Sequence, residues 1–347
     1  MADIENFDEA VIALPMWKKL YDLAEHIKTL NPWEWMDAGD VLGVRLFDST
    51  DIWFATFLEW KDGIKSCSLF KGQKAWRDGL VLSLDDPIKM LETTQLRLAY
   101  LSREHLKPFE LDILLRLGLK YSGKHVWPVF RSYLVGYLPA MINAGEAKQM
   151  VEMLRQVFGV ALRVENDRQL LRQTHMEKKF LVRVQDGAGK WRDEWQELPP
   201  LRTREFSVEV DIGKVKRILD GGMQDCCLQI DLGRAPGTIT PPGQGRRQLV
   251  YMLMVVDADA GIVHSGELME TIDGVEAMWA LVPEAILSTF LKLGWYPREI
   301  EVANEWMANM MRPLGELIPF RMTRRRHLES LEQARHGFYE YLRNRKL

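Results

Sequence analysis

Residues 248–257, QLVYMLMVVD, do most to limit what this chain can fold into. Between Gln248 and Asp257 every side chain is apolar. A half-buried strand would alternate, and an amphipathic helix would leave a polar stripe. A short unbroken run fits a strand covered on both faces. Such a strand needs neighbours, and the flanking sequence offers them. Residues 226–232 (CCLQIDL) read as a short strand carrying Asp231. A Gly/Pro-rich stretch from Gly233 to Gly245 comes next and reads as a mobile loop. The turn Ala258-Asp259-Ala260-Gly261 leads into a return strand over 262–270. Asp273 can cap a helix built on Val275, Met278, Trp279, Val282, Ile286 and Phe290, closed by Gly294 and Pro297. A strand is expected over 298–303, then a helix capped by Asn304. A last strand over 318–323 and a last helix over 324–345 complete the series.

Three strands in a meander, then strands alternating with helices, resemble the ribonuclease H-like folds, which include retroviral-type integrases and many transposases. The resemblance implies a place for chemistry. Carboxylates from the first strand, the fourth strand and a late helix converge there on two divalent ions, magnesium or manganese, which activate water for phosphodiester cleavage. Asp231 stands on the first strand. The fourth strand ends in Ala303-Asn304-Glu305, so Asn304 occupies the place of an expected Asp, with Glu305 beside it. Glu329 and Glu332 are the candidates on the last helix. The catalytic set would be Asp231, Asn304, Glu305 and Glu329. An Asn brings an amide oxygen but no charge, which leaves a paired-metal site under-charged. The competing reading gives these residues structural work: Asp231 and Asp257 bond neighbouring loops, and Asn304 caps a helix. It makes the protein non-catalytic, with no cofactor and no metal.

The 347 residues are enough for about two domains. The sequence expects an N-terminal α+β domain over 1–170 and a ribonuclease H-like α/β domain over 171–347, a mixed sheet with flanking helices. The boundary is placed in the polar stretch 165–177. In the first half, Trp17, Leu20, Tyr21, Ala24 and Ile27 repeat at helical steps, and Asn31-Pro32 stops the helix. Strands are expected over 41–47, 52–60, 66–70 and 95–101, with helices over 72–84, 87–92, 108–117 and 144–158, the last ending at Gly159. The knot Pro32-Trp33-Glu34-Trp35-Met36 either binds a ligand or plugs a sheet end. Residues 127–139 set Arg131 among four aromatics. They form either a stacking platform with Arg131 holding an anion, or an extended core segment. A hairpin over 179–198 and a strand over 206–212 are expected to join the second domain as edge strands or a cap.

The 46 basic and 49 acidic residues leave a formal net charge of -3, which argues against a protein whose main work is coating nucleic acid. The tail is the exception. From Arg321 onward it has eight Lys/Arg against three Glu. Arg324, Arg325 and Arg326, at a helix entry, can grip phosphates or serve as internal salt-bridge partners. Three cysteines form no framework, which fits a reducing, cytoplasmic compartment. The histidines are scattered and make no zinc pair. No signal peptide or membrane span is read. The expected partner is a protein or a nucleic acid.

Several motifs are similar to those of an uncharacterised bacterial family that pairs two domains of unknown function. They are Trp17, Tyr21 and Ala24, then Pro32, Trp33, Trp35 and Met36, and the segment from Phe130 to Tyr137. In the second half they are Val256, Asp257, Gly261, Glu267 and Leu268, followed by Pro297, Glu299 and Ile300. The resemblance implies two-domain organisation and brings no activity with it.

Overall fold

The computed structural model describes residues 12–344 apart from 38, 48, 61, 86–92, 172–178, 198–207, 209, 241–245 and 272–274. The helix expected over 87–92 and the Asp273 cap therefore lie outside the described residues. The chain forms two units, Met1–Thr203 and Arg204–Leu347.

In the first unit the apolar stripe of α1 (Leu14–Leu30) buries Trp17, Leu20, Tyr21, Ala24 and Ile27. Asn31 ends the helix in the left-handed region at φ 54, which an Asn tolerates well, and Pro32 prevents its continuation. Next come β1 (Leu42–Arg45), β2 (Trp53–Glu59), β3 (Lys65–Lys71) and α2 (Gly72–Asp85). They are followed by β4 (Gln95–Leu101), α3 (Pro108–Arg116), β5 (Trp127–Tyr133), β6 (Ala140–Met141) and α4 (Ala144–Asn166). Asn143 caps α4 by accepting the Glu146 N–H at 2.8 Å, and the Glu146 carboxylate accepts the Asn143 N–H at 2.9 Å. The expected stop at Gly159 does not occur. Val160, Ala161 and Val164 extend the buried stripe, and that burial outweighs one glycine's propensity.

The sheet runs β6-β5-β4-β3-β2-β1-β7-β8 and includes β7 (Lys179–Gln185) and β8 (Trp191–Glu197). Its strands pair antiparallel throughout except where β1 meets β7. The hairpin thus belongs to the first unit and not, as the sequence suggests, to the second domain. Phe180 and Val182 pack on Phe54 and Trp76 in the first core, and Leu42 pairs in register with Leu181. The break in the chain accordingly falls after the hairpin and not at 170/171. Trp33 plugs the sheet end: its indole N–H donates to the Ser66 carbonyl at 3.1 Å, and its ring meets Phe57 and Tyr100 edge-on.

The second unit opens with α5 (Ile212–Gly221), capped by Asp211. Of the strand expected over 206–212, residues 206, 207 and 209 lie outside the described residues; 208, 210 and 211 are not strand, and Ile212 is already helical. Then follow β9 (Met223–Ile239), β10 (Gln248–Asp257), β11 (Val263–Glu270), α6 (Val275–Leu293), β12 (Tyr296–Val302), α7 (Glu305–Gly315), β13 (Arg321–Arg324) and α8 (Glu329–Asn344). The sheet order is β11-β10-β9-β12-β13, with β10 antiparallel to both neighbours and β12 parallel to β9 and β13. Ile230 and Val302 are paired, so the first and fourth strands of this unit lie side by side.

Residues 233–239 are strand, not the expected mobile loop. They pair with β10 through Ile239–Gln248 and Thr238–Leu249, with a register shift between Leu249 and Tyr251. A long, fully buried partner strand leaves its own N–H and C=O groups needing mates, and this need outweighs local Gly/Pro content. Residues 248–256 are buried without a break. Val250, Met252, Met254 and Val256 meet Leu328 and Leu331 at the α8 end of one face. By alternation Leu249, Tyr251, Leu253 and Val255 are buried on the other face, where α5, α6 and α7 lie against the sheet's neighbouring strands. No helix among the described residues is long and apolar enough to cross a membrane.

Two glycines test this packing in opposite directions. A Cβ on Gly221 would enter the van der Waals shell of the Gly294 backbone carbonyl, where neither side can yield cheaply. Gly221→Ala therefore destabilises the second unit by about 1–3 kcal/mol. At Gly159 a Cβ meets nothing within 4 Å. Gly159→Ala therefore stabilises the first unit by about 0.5–1 kcal/mol. Denaturant titration read by amide exchange in each unit checks both signs.

Candidate functional site

Asp231 lies on β9 with its side chain toward α8, and only 12% of that side chain is exposed. Its carboxylate does not face other carboxylates. The Arg335 Nη2 donates to Asp231 Oδ2 at 2.6 Å. Arg335 reaches it because it lies one turn beyond the buried Leu331 on the same face of α8. The guanidinium also needs room above the strand. A Cβ built on Gly233 would come within 2.9 Å of Arg335 Cζ, so the glycine clears its seat.

The neighbouring side chains are tied up in the same way. Gln229, two residues before Asp231 on the same strand face, accepts the Leu331 N–H at 2.9 Å and donates to Glu301 Oε2 at 3.0 Å. Glu301 also accepts from Arg325 Nε at 2.7 Å. That bond and the carboxylate's charge push the Arg325 pKa up. Ser330 donates to the Ala258 carbonyl at 2.6 Å, and the Tyr339 hydroxyl donates to the Arg234 carbonyl at 2.5 Å. Together these bonds stitch α8 across β9 and the β10 end.

The remaining catalytic candidates do not join Asp231. Asn304 caps α7 by accepting the Met307 N–H at 2.8 Å. Glu305 is exposed and bonds Arg324 at 2.6 Å. Glu329 is exposed in the first turn of α8. Among the described residues no three His, Cys, Asp or Glu side chains form a group that could hold a metal ion. The set Asp231, Asn304, Glu305 and Glu329 is thus dispersed into a cap, a surface pair, a buried ion pair and an exposed helix start.

The binding candidates are likewise engaged. Arg131 forms a two-pronged bond with Glu110, at 2.9 Å from Nε and 3.0 Å from Nη2, and also donates to the His105 carbonyl. Burial lowers the Arg131 pKa, but the bond and charge of Glu110 outweigh it, and the net shift is upward. Arg324 and Arg325 are paired with Glu305 and Glu301. Arg324 lies on β13, and Arg325 and Arg326 precede α8, so the three are not at a helix entry. Arg326 is exposed. Sequence reasoning missed Arg335. The signal was available in its spacing from Leu328 and Leu331 and in the glycine at 233, on a strand facing it.

A groove of about 590 Å³ runs between β11, the sheet's edge strand, and α6. It is lined in part by Leu268, Leu281, Glu267 and Lys292. Leu268 is 56% and Leu281 59% exposed.

Removing one partner of the Asp231–Arg335 pair leaves a half-buried charge without compensation. Arg335→Met destabilises the second unit by about 2–3 kcal/mol, at the low end for such pairs because both groups keep some solvent. The double variant Asp231→Asn/Arg335→Met recovers about 1 kcal/mol or more of that loss. Gly233→Ala moves the guanidinium and removes part of the same coupling. A double-mutant cycle in urea measures it, and strictly additive losses would exclude the pair as a unit.

No curated protein matches the chain. Two family models do match, each described as a domain of unknown function, DUF7309 over residues 17–183 and DUF6930 over residues 214–339. The chain thus matches, in tandem, two models of domains of unknown function.

Proposed function

We propose that the second unit is a ribonuclease H-like module in which an internal ion pair stands where metal ions would be held, and that the protein works by binding a partner protein and not by cleaving nucleic acid. The strand order β11-β10-β9-β12-β13, with β10 alone antiparallel to its neighbours in the central three, supports the fold. The Asp231–Arg335 bond carries the functional reading. A fixed guanidinium at 2.6 Å supplies the positive charge that a divalent ion would otherwise bring, and it cannot activate a water. Arg324 and Arg325 bond carboxylates of their own, which weakens them as a phosphate grip.

The open edge of β11 beside the groove offers a place for an extended segment of a partner. Strand backbone that pairs on this side with no strand among the described residues supplies register, and Leu268 and Leu281 supply apolar contact. The free cysteines support a reducing, cytoplasmic setting. The rival reading, a magnesium- or manganese-dependent nuclease using Asp231, Asn304, Glu305 and Glu329, has no converging carboxylates among the described residues to support it.

Calorimetry with magnesium and manganese is expected to give no binding heat, and single- and double-stranded DNA and RNA stay intact on incubation. Cleavage that disappears in Asp231→Asn would return the nuclease. Peptides selected from a displayed library of extended sequences are expected to protect the β11 amides from exchange. Leu268→Asp with Leu281→Asp abolishes their capture. Peptides that protect α8 or β13 instead would reject this surface.

A further inference from the structure

Arg97 sits in the middle of the first unit's sheet, only 9% exposed. It belongs to a row that crosses four strands in register: Thr56, Ser68, Arg97 and Arg131. Thr56 and Ser68 are almost fully buried. One residue further along, on the opposite face, the row is Phe57, Cys67, Leu98 and Phe130, all apolar. A buried polar group must recover its lost hydration, and Thr56 does so by accepting the Trp76 indole N–H at 3.2 Å, Ser68 by accepting from Arg97.

The other half-buried arginines show the usual solution. Arg131 has Glu110, Arg183 has Asp193 and Arg335 has Asp231, and each of these arginine side chains is 18–21% exposed. Arg97 is more buried and has no carboxylate among the described residues. Its Nε donates to Ser68 Oγ at 3.2 Å, and Nε and Nη2 share Gln95 Oε1 at 3.3 and 3.1 Å. Tyr133 adds a side-chain hydrogen bond to the guanidinium. The guanidinium lies 4.6 Å from the Tyr133 ring centre and 5.5 Å from that of Trp60, which is half-buried. Ring faces and neutral oxygens soften a buried charge without cancelling it. Desolvation correspondingly lowers the Arg97 pKa, opposed by Tyr133.

We propose that Arg97, with Ser68, Gln95, Trp60 and Tyr133, forms a binding site for a carboxylate monoanion. One uncompensated cation matches one negative charge, since Arg131 is already neutralised by Glu110. A phosphate dianion would leave a buried charge unmatched. The planar guanidinium fork suits a carboxylate, and the two rings suit an acid with a flat apolar body. The acid is either a free small molecule or the terminal carboxylate of a chain.

Saturation-transfer NMR on the full chain tests this with benzoate, N-acetyltyrosine and the neutral amide of N-acetyltyrosine as probes. Benzoate transfer is expected to be saturable, and the amide gives none. Transfer from N-acetyltyrosine as well extends the site to chain termini; transfer from benzoate alone assigns it to free acids. Arg97→Met weakens benzoate binding by at least about tenfold. If that variant fails to fold, Arg97→Lys, which keeps the charge and loses the fork, is expected to weaken it by a similar factor. No transfer from either acid at millimolar concentration overturns the site. So does displacement of benzoate by equimolar inorganic phosphate, or unchanged affinity in both variants.

Discussion

The second unit depends on one constraint: β10 must be dry on both faces. Nine consecutive buried residues leave no edge and no wet side. The strand therefore has to be interior to its sheet, with β11 and β9 on either hand. Helices must then approach from above and below. Once β9 lies beside β10, the free edge open to the parallel strands is the far side of β9. There β12 pairs with it and β13 lies beyond. The position of Asp231 and the helix that crosses it are consequences of this order.

Much of that order was legible. The apolar run, the turn at 258–261 and the helical spacings each report a local preference, and here local and global preferences agree. The features that misled were decided by partners far away in sequence. Residues 233–239 have turn-forming composition, but β10 offers them a ladder of bonds. The 179–197 hairpin carries no label for its sheet, and only the register of Leu42 with Leu181 tells which core receives Phe180 and Val182. Gly159 resembles a stop because a terminal glycine and a tolerated interior one differ only in the residues beyond them. Beyond Gly159 lie Val160, Ala161 and Val164, all buried.

The candidate site was legible in its frame and not in its contents. The sequence placed Asp231 on the first strand of the sheet, where it is, and Asn304 at the end of the fourth, which instead stops at Val302, two residues before Asn304 caps the next helix. The roles came from the partners. An Asn before a helix is a cap whenever the N–H groups of the first turn are free, and Met307 supplies that donor. A carboxylate on a strand is a ligand or half of an ion pair according to what the facing helix presents. Arg335 looked like one of many tail charges because its partner lies 104 residues away.

The two sheets handle buried charge differently, and the contrast bears on where function lies. Around β9, charges are balanced within the fold: Asp231 with Arg335, and Glu301 with Arg325 and the Gln229 amide. Pairing of this kind holds α8 in place, although the buried Arg335 Nε is left without a hydrogen-bond partner among the described residues. Around β4 the balance is incomplete. Arg97 is held by neutral oxygens and ring faces, which orient it without satisfying its charge. An arginine kept this way costs stability in the empty protein and returns that cost when an anion arrives. The paired set thus belongs to the architecture of the second unit, while Arg97 is the residue on which the proposed carboxylate site of the first unit rests.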